Sequence, residues 1–151
     1  KVKPTYSVIY EIGGRLNTGY DNWGWDSSLT FKDGSMVVTA DKGSYGAASI
    51  KNTKKDFGVG GSIRFDVKSK GKLLVKVEST EDKEVAIVGT TDGGESDFKT
   101  YIFDIDYDGP FDRINLQDSN GNGDPIYIRY LIYSTGSADD FVDPIDTSRQ
   151  P

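Results

Sequence analysis

The chain has 151 residues, about one domain's length, and contains neither histidine nor cysteine. Their absence excludes serine–histidine and cysteine–histidine catalytic units, thiolate or imidazole metal sites and disulfides, and leaves chemistry based on the 19 Asp and five Glu carboxylates. The formal charge of −6 opposes contact with phosphate backbones, and no apolar run approaches the roughly 18 residues that span a bilayer, so we expect neither a nucleic-acid nor a membrane partner.

The composition favours an all-β protein. Eleven Val, twelve Ile and eleven Thr stand against five Ala and six Leu, and β-branched side chains suit strands better than helices. Turn-forming glycines such as Gly34, Gly43 and Gly71 recur about every 8–12 residues or slightly more, a spacing typical of sandwiches and barrels. We therefore predict one β-sandwich of about ten antiparallel strands: Thr5–Ile12, Ser28–Phe31, Met36–Ala40, Ala47–Lys51, Gly61–Val67, Lys72–Glu78, Glu84–Gly89, Thr100–Asp106, Phe111–Leu116 and Ile126–Tyr133.

The sandwich is predicted to fill residues 1–145 as a single domain. From about Asp143 the chain becomes polar, with Pro144 followed by the closing segment Thr147–Pro151. Polar stretches of this kind are typical of linkers. Residues 146–151 are therefore predicted to be a linker or tail.

Two tryptophans lie close together in the segment Tyr20–Asp26. Alternate side chains of an extended strand share a face, so we expect Trp23 and Trp25 side by side, about 6.6 Å apart along the strand. The other reading buries both indoles in the core, where Trp usually lies, but the polar neighbours and Gly24 are atypical of a core strand. Tyr45 is a third aromatic side chain in a polar context. A flat aromatic strip suits the C–H face of a β-linked sugar ring.

Glutamates offer an alternative based on catalysis. A glycoside hydrolase needs two carboxylates about 5–9.5 Å apart, and Glu78, Glu81 and Glu84 are close in sequence. Glu81 and Glu84 lie in a charged turn, where acids are usually solvated. Glu78 ends the predicted strand Lys72–Glu78, a better place for a fixed polar group. A hydrolase remains an alternative function.

Two segments match the first half of a calcium-binding loop, Asp104–Gly109 and Asp118–Gly123. Such a loop needs a bidentate glutamate at its twelfth position. Here the twelfth positions are Asn115 and Arg129. We therefore predict no metal site in either segment.

Arg113 and Gln117 form a further polar pair. Four residues apart on an extended strand, their side chains share a face and could line a groove. Groups of this type bond sugar hydroxyls at the edge of an aromatic strip. By itself such a pair more often marks a solvated surface.

Long, distinctive sequence motifs occur in five segments: Tyr20–Trp25, Lys42–Ala47, Gly60–Asp66, Pro110–Ile114 and Ser134–Ile145. With them the chain closely resembles family 29 carbohydrate-binding modules, from about Thr5 to Ile145. The resemblance implies a non-catalytic β-jelly-roll module, without a cofactor, that binds single chains of β-1,4-linked glucan, mannan and glucomannan. It also implies a secreted, extracellular monomer, joined to other modules of a larger protein in the plant-cell-wall-degrading complexes (cellulosomes) of anaerobic fungi.

The resemblance also assigns site residues. The family's aromatic platform falls on the three aromatic residues identified above, and its hydrogen-bonding groups fall on Glu78, Arg113 and Gln117. A lysine four residues before the glutamate is replaced here by Leu74, and of the flanking lysines we assign Lys76 to the site. The family's loop acid is assigned to Asp82. Because of the change at Leu74, we expect weaker or altered binding compared with a member that keeps every contact.

Three functions of different classes are thus open at the level of sequence. The first is non-catalytic polysaccharide binding, and the second is carboxylate-dependent glycoside hydrolysis. The third is an assembly domain that binds protein partners through its exposed aromatic patch. The three functions predict different outcomes with a polysaccharide: binding without cleavage, cleavage, or no binding.

Overall fold

The computed structural model describes residues 2–150 as a β-sandwich, which confirms the predicted all-β class. Lys1 and Pro151, the outer ends of the predicted ranges 1–145 and 146–151, lie outside the described residues. A short 3-10 helix spans Ala138–Asp140, and no helix in the described chain is long and apolar enough to cross a membrane. The strands are β1 Tyr6–Tyr10, β2 Tyr20–Asn22, β3 Ser27–Lys32, β4 Ser35–Ala40, β5 Ala47–Asn52, β6 Gly58–Val59, β7 Ser62–Ser69, β8 Leu73–Ser79, β9 Glu84–Thr90, β10 Gly94–Asp104, β11 Pro110–Phe111, β12 Arg113–Asp118 and β13 Ile126–Ser134.

The strands form two large sheets with antiparallel pairing. One sheet has six strands in the order β10-β7-β13-β4-β3, with β1 beside the second half of β13. The other has five strands in the order β2-β5-β12-β8-β9, and β6 pairs with β11 in a small ribbon. The chain crosses repeatedly from one sheet to the other, as it does in jelly rolls.

The core lies between the two sheets and is built by alternation along each strand. Ile63, Phe65 and Val67 on β7 point inward from the six-stranded sheet, and Ile114 and Leu116 on β12 point inward from the five-stranded sheet. All five are buried. Because side chains alternate between faces, the intervening residues of β12 must face outward.

Sequence periodicity predicts ten of these strands and does not predict β2, β6 and β11 as separate strands, although Phe111 of β11 falls within the predicted strand Phe111–Leu116. These three contain only two or three residues each, too few for an alternating pattern to be recognised. β10 also begins earlier than predicted, at Gly94 instead of Thr100, and its register against β7 is irregular between Gly94 and Lys99.

Residues 146–150, predicted to be a linker or tail, contact the six-stranded sheet. The Tyr130 hydroxyl donates to the carbonyl of Arg149 at 2.9 Å, and Arg129 donates to the Oε1 atom of Gln150 at 2.9 Å. The Arg149 guanidinium pairs with Glu11 at 2.6 Å. We refer to residues 146–150 as the C-terminal strap.

The calcium-like segment Asp118–Gly123 forms a turn that is held by its own carboxylate. Asp118 accepts hydrogen bonds from the backbone N–H groups of Asn120, Gly121 and Gly123. Asp side chains commonly fix turns in this way. Among residues 2–150 no cluster of three or more acidic side chains is arranged to hold a metal ion.

Candidate functional site

The outer face of the five-stranded sheet carries most of the predicted site residues. The central strand β12 directs Arg113, Asn115 and Gln117 to this face, opposite its buried residues. Directly opposed residues of antiparallel strands share a face, so their partners on the neighbouring strands point the same way. Those partners are Lys51, Ser49 and Ala47 on β5, and Glu78, Lys76 and Leu74 on β8.

Both tryptophans lie beside β5, on a continuation of β2. The Trp23 N–H donates to the Ser49 carbonyl at 2.7 Å, and Trp25 exchanges two hydrogen bonds with Ala47, each 3.0 Å long. Gly24 lies between them, where an added Cβ would meet the Ala47 carbonyl oxygen at 2.4 Å. Extended backbone therefore places the two indoles on one face, as the alternation predicts.

The aromatic residues face solvent. Trp23 is 48% exposed and Tyr45 is 51% exposed, and Trp25 is half-buried. The reading that buries both indoles in the core is therefore wrong. Tyr45 adopts a positive φ of 54°, and its ring packs on Gly121, where a Cβ would come within 3.1 Å of the ring.

A fixed polar network lies beside the aromatic side chains. The Glu78 Oε1 atom accepts hydrogen bonds from the Arg113 guanidinium and from the Asn115 amide, both at 2.9 Å. The Arg113 Nε atom also donates to the Ser49 hydroxyl at 2.9 Å, and that hydroxyl donates to Asn115. Each member thus holds another in place, and the network is preorganised in the sense that few rotamers remain open to it.

The network and the aromatic side chains meet at Trp23. The Lys51 ammonium lies 5.3 Å and the Arg113 guanidinium 5.9 Å from the centroid of its ring. Cations at such distances are attracted to the indole face. These contacts hold the ring next to the polar groups of β5 and β12.

Lys51 is itself fixed by Asp112, which lies 2.8 Å from its ammonium. Burial alone would raise the pKa of the Asp112 carboxyl, but hydrogen bonds from Lys51 and Thr80, together with the Lys51 charge, lower that pKa below its ordinary value. Asp112 therefore stays ionised and keeps Lys51 in place at neutral pH.

Gln117 and Lys76 flank the network at one end. The Gln117 amide donates to the Tyr45 carbonyl at 2.8 Å, which joins β12 to the loop that carries this aromatic residue. Its Oε1 atom is buried and accepts no hydrogen bond from residues 2–150. Lys76 lies beside Asn115 on the same face and is half-buried, and Leu74 lies beside Gln117.

Asp82 lies apart from the network, in the turn between β8 and β9. It lines a cleft of about 600 Å³ with Glu84 and residues 106–109, and neither Glu78 nor Arg113 lines that cleft. Glu84 is paired with the buried Ser79, so it lies on the opposite face of the sheet from Glu78. The structure does not bring Glu78 and Glu84 together as a pair of carboxylates.

Sequence reasoning missed three members of this site: Ser49, Lys51 and Asn115. Asn115 lies between Arg113 and Gln117 in the same alternation, so the period of two could have identified it. Ser49 and Lys51 alternate in the same way on the predicted strand Ala47–Lys51. Their association with β12 depends on strand register, for which the sequence offers no local signal.

Several solved structures closely match the chain. A lysine-to-alanine mutant of CBM29-2, complexed with cellulohexaose, is 48% identical over 95% of this chain and 100% of that chain, with a TM-score of 0.90. An aspartate-to-alanine mutant complexed with mannohexaose is 48% identical at the same coverage, with a TM-score of 0.89. A further structure, described as a family 29 carbohydrate-binding module, is 47% identical over 98% of this chain and 100% of that chain, with a TM-score of 0.91.

The other two comparisons give no match. Neither the protein-family models nor the curated proteins contain a relative that matches this sequence. The likeness to known proteins therefore comes from the solved structures, whose identity and coverage are both high.

Proposed function

The chain belongs to family 29 of the carbohydrate-binding modules, and we propose that it binds single chains of β-1,4-linked glucan, mannan and glucomannan on the outer face of its five-stranded sheet. Its relatives were solved with cellulohexaose and with mannohexaose, ligands of these two sugar classes. Binding is reversible and no glycosidic bond is broken.

The observation that carries the proposal is the position of the aromatic side chains beside the preorganised polar network. Trp23, Trp25 and Tyr45 stack on the C–H faces of successive sugar rings, each contact adding about 0.5–1.5 kcal/mol by analogy with aromatic pairs. We refer to these three residues together with Glu78, Arg113 and Gln117 as the binding face.

Sugar hydroxyls are held by the polar members of the binding face. Glu78 accepts hydrogen bonds from hydroxyls, and Arg113 and the Gln117 amide donate them, each bond adding about 0.5–1.5 kcal/mol and more where a charge takes part. Lys76 and Asp82 are proposed to contribute at the margin. Glucose and mannose differ in the orientation of one hydroxyl group. Stacking of the sugar ring on an aromatic side chain depends little on that orientation, so the same site can bind both sugars.

We propose that this protein is not an enzyme and does not hydrolyse the polysaccharide that it binds. Glu78 is engaged by two donors, and the nearby Glu84 lies on the other face of its sheet, so Glu78 and Glu84 do not form a carboxylate pair for glycosidic cleavage. Incubation with glucomannan should release no reducing sugar. If reducing sugar is released by the unaltered protein and not by the Glu78→Gln variant, the protein is a glycoside hydrolase.

We further propose that the protein acts outside the cell, as a secreted monomeric module of a larger plant-cell-wall-degrading protein in a cellulosome. The support is chemical: polysaccharides of the plant cell wall are extracellular, insoluble polymers, and a module that binds them without cleaving them raises the effective concentration of an enzyme to which it is joined. The predicted module of residues 1–145 and tail of residues 146–151 remain predictions. Mass spectrometry of secreted, cell-wall-bound protein tests this proposal.

Isothermal titration with cellohexaose and mannohexaose tests the proposed function. Trp23→Ala and Trp25→Ala should each weaken binding by about 1 kcal/mol or more, roughly fivefold in Kd, because each removes one stacking surface. Thermal melting should show that both variants remain folded.

A matched aromatic control is Phe98→Ala, on the six-stranded sheet, which should leave sugar affinity unchanged. If the two Trp variants bind both sugars as well as the unaltered protein does, the binding face is not the sugar site. An assembly domain would then be favoured if the same variants lose a protein contact.

A further inference from the structure

Beside the binding face lies an aliphatic strip, formed by Val85 and Ile87 on the edge strand β9. Val85 is 53% exposed and Ile87 is 65% exposed. Glu78 is the direct cross-strand partner of Val85, and Lys76 is that of Ile87. Opposed residues share a face, so the strip continues the outer face of the sheet beyond the polar network.

The aliphatic strip marks the boundary between the polar part of the outer face and an apolar part. On β8 and β12 the outer face offers charged and amide groups that bond hydroxyls, but one strand further, about 4.8 Å away, Val85 and Ile87 offer only hydrocarbon beside Glu78 and Lys76. A free hydroxyl placed there would lose hydrogen bonds to water without gaining any from the protein. An apolar substituent on the sugar would instead be favoured.

The strip is too small to be a protein interface. Two side chains expose far less than the roughly 800 Å² that each partner buries in a stable complex. Their direct neighbours Lys76 and Glu78 are ionisable, which would oppose closure of an apolar interface over them. The strip continues the proposed sugar-binding surface, so its occupant belongs to the same ligand.

We propose that Val85 and Ile87 contact acyl substituents, specifically O-acetyl groups, on a β-1,4-linked chain bound to the binding face. This inference rests on the proposed function and narrows its ligand class to acetylated glycans. The acetyl methyl group lies on the aliphatic side chains while unsubstituted hydroxyls face the network. Leu74, half-buried on the same face of β8, extends the apolar margin.

The test compares two soluble ligands with one backbone: an acetylated glucomannan oligosaccharide and the same material after alkaline deacetylation. Burial of one methyl group corresponds to about fourfold in affinity, so the unaltered protein should bind the acetylated form about three- to tenfold more tightly. In the double variant Val85→Thr with Ile87→Thr, this ratio should fall to about one. Affinity for the deacetylated form should not change.

Val142→Thr is the matched control, because Val142 is 70% exposed and lies outside the five-stranded sheet. It should keep the full preference for the acetylated ligand. Equal binding of both ligands by the unaltered protein would overturn the acetyl contact, and so would a preference that survives in the folded double variant. Failure to bind either ligand would instead overturn the proposed function itself.

Discussion

Arg113 is the residue on which the polar network depends most. Its Nε atom binds Ser49 and its terminal nitrogen binds Glu78, so its planar guanidinium sets the spacing between β5 and β8 side chains. A lysine would keep the charge but could not hold both partners in a fixed geometry.

We therefore expect Arg113→Lys to weaken binding of cellohexaose and mannohexaose about tenfold, since hydrogen bonds to charged groups are worth about 1.5–3 kcal/mol each. Isothermal titration gives the affinity. Arg15→Lys, at an exposed residue outside the sheets, serves as the control. Unchanged affinity in Arg113→Lys would mean that the positive charge alone is sufficient.

At this scale the sequence predicts some residues better than others. Trp23 and Trp25 follow from alternation about a glycine, a local pattern that the backbone obeys. Alternation also places Asn115 and Ser49 on outward faces of their strands, but it does not show that the two side chains form a hydrogen bond across 66 residues of sequence. The assignment of Asp82 to the site stays a prediction, and its side chain lines a different cleft.

At the scale of elements, Asp112 joins three strands. It immediately precedes β12, its carboxylate accepts from the Thr80 N–H at 2.9 Å after β8, and it pairs with Lys51 on β5. Its own N–H donates to the Glu78 carbonyl at 3.1 Å. Asp112 thus fixes the register of the strands that carry the binding face.

Asp112→Asn should lower the free energy of unfolding at pH 7 by about 1–3 kcal/mol, because it leaves buried donors without a charged acceptor. The folded-state pKa of Asp112 lies below its ordinary value of 3.8. Its stabilising contribution is therefore full above that value and is lost as the pH falls through the lower folded-state pKa.

Urea unfolding at pH 7 and in a series below pH 4 measures this contribution. The difference between Asp112→Asn and the unaltered protein should narrow as the pH falls. Asp21→Asn, at an exposed position on β2, should be as stable as the unaltered protein throughout. A difference that is constant with pH would show that the charge of Asp112 is not the source.

The long strands, including the edge strands β3, β9 and β10, could be predicted because each has enough residues for alternation, but the shortest strands could not. β2 has three residues and no alternating apolar pattern, so only its pairing with β5 makes it a strand. Tyr130 adopts a φ of 52° at the register irregularity between β13 and β7. A tyrosine within an alternating strand pattern does not predict a positive φ.

At the scale of the whole molecule, the predicted boundary at residue 145 stays a prediction, and the C-terminal strap contacts the six-stranded sheet. It satisfies the Tyr130 hydroxyl and an Arg129 nitrogen, both on a strand of the six-stranded sheet, and pairs with Glu11. The polar composition of residues 146–151 predicts a linker or tail, but composition alone does not show which backbone carbonyl will accept a hydrogen bond.

A protein ending at Ile145 should therefore be less stable than the full chain, by about 1–3 kcal/mol for the hydrogen bonds lost. Thermal melting measures the change, and sugar affinity should be unchanged because the binding face lies on the other sheet. Equal melting temperatures would support the predicted boundary at residue 145.

The outer surfaces of the two sheets differ in what covers them. The chain uses its own C-terminal residues to occupy part of one outer surface and leaves the other to a ligand. Among the described residues, the proposed binding face is thus on one sheet and the strap is on the other. Joining copies in tandem would strengthen retention on a fibre, because each additional copy binds at the high effective concentration created by its neighbour.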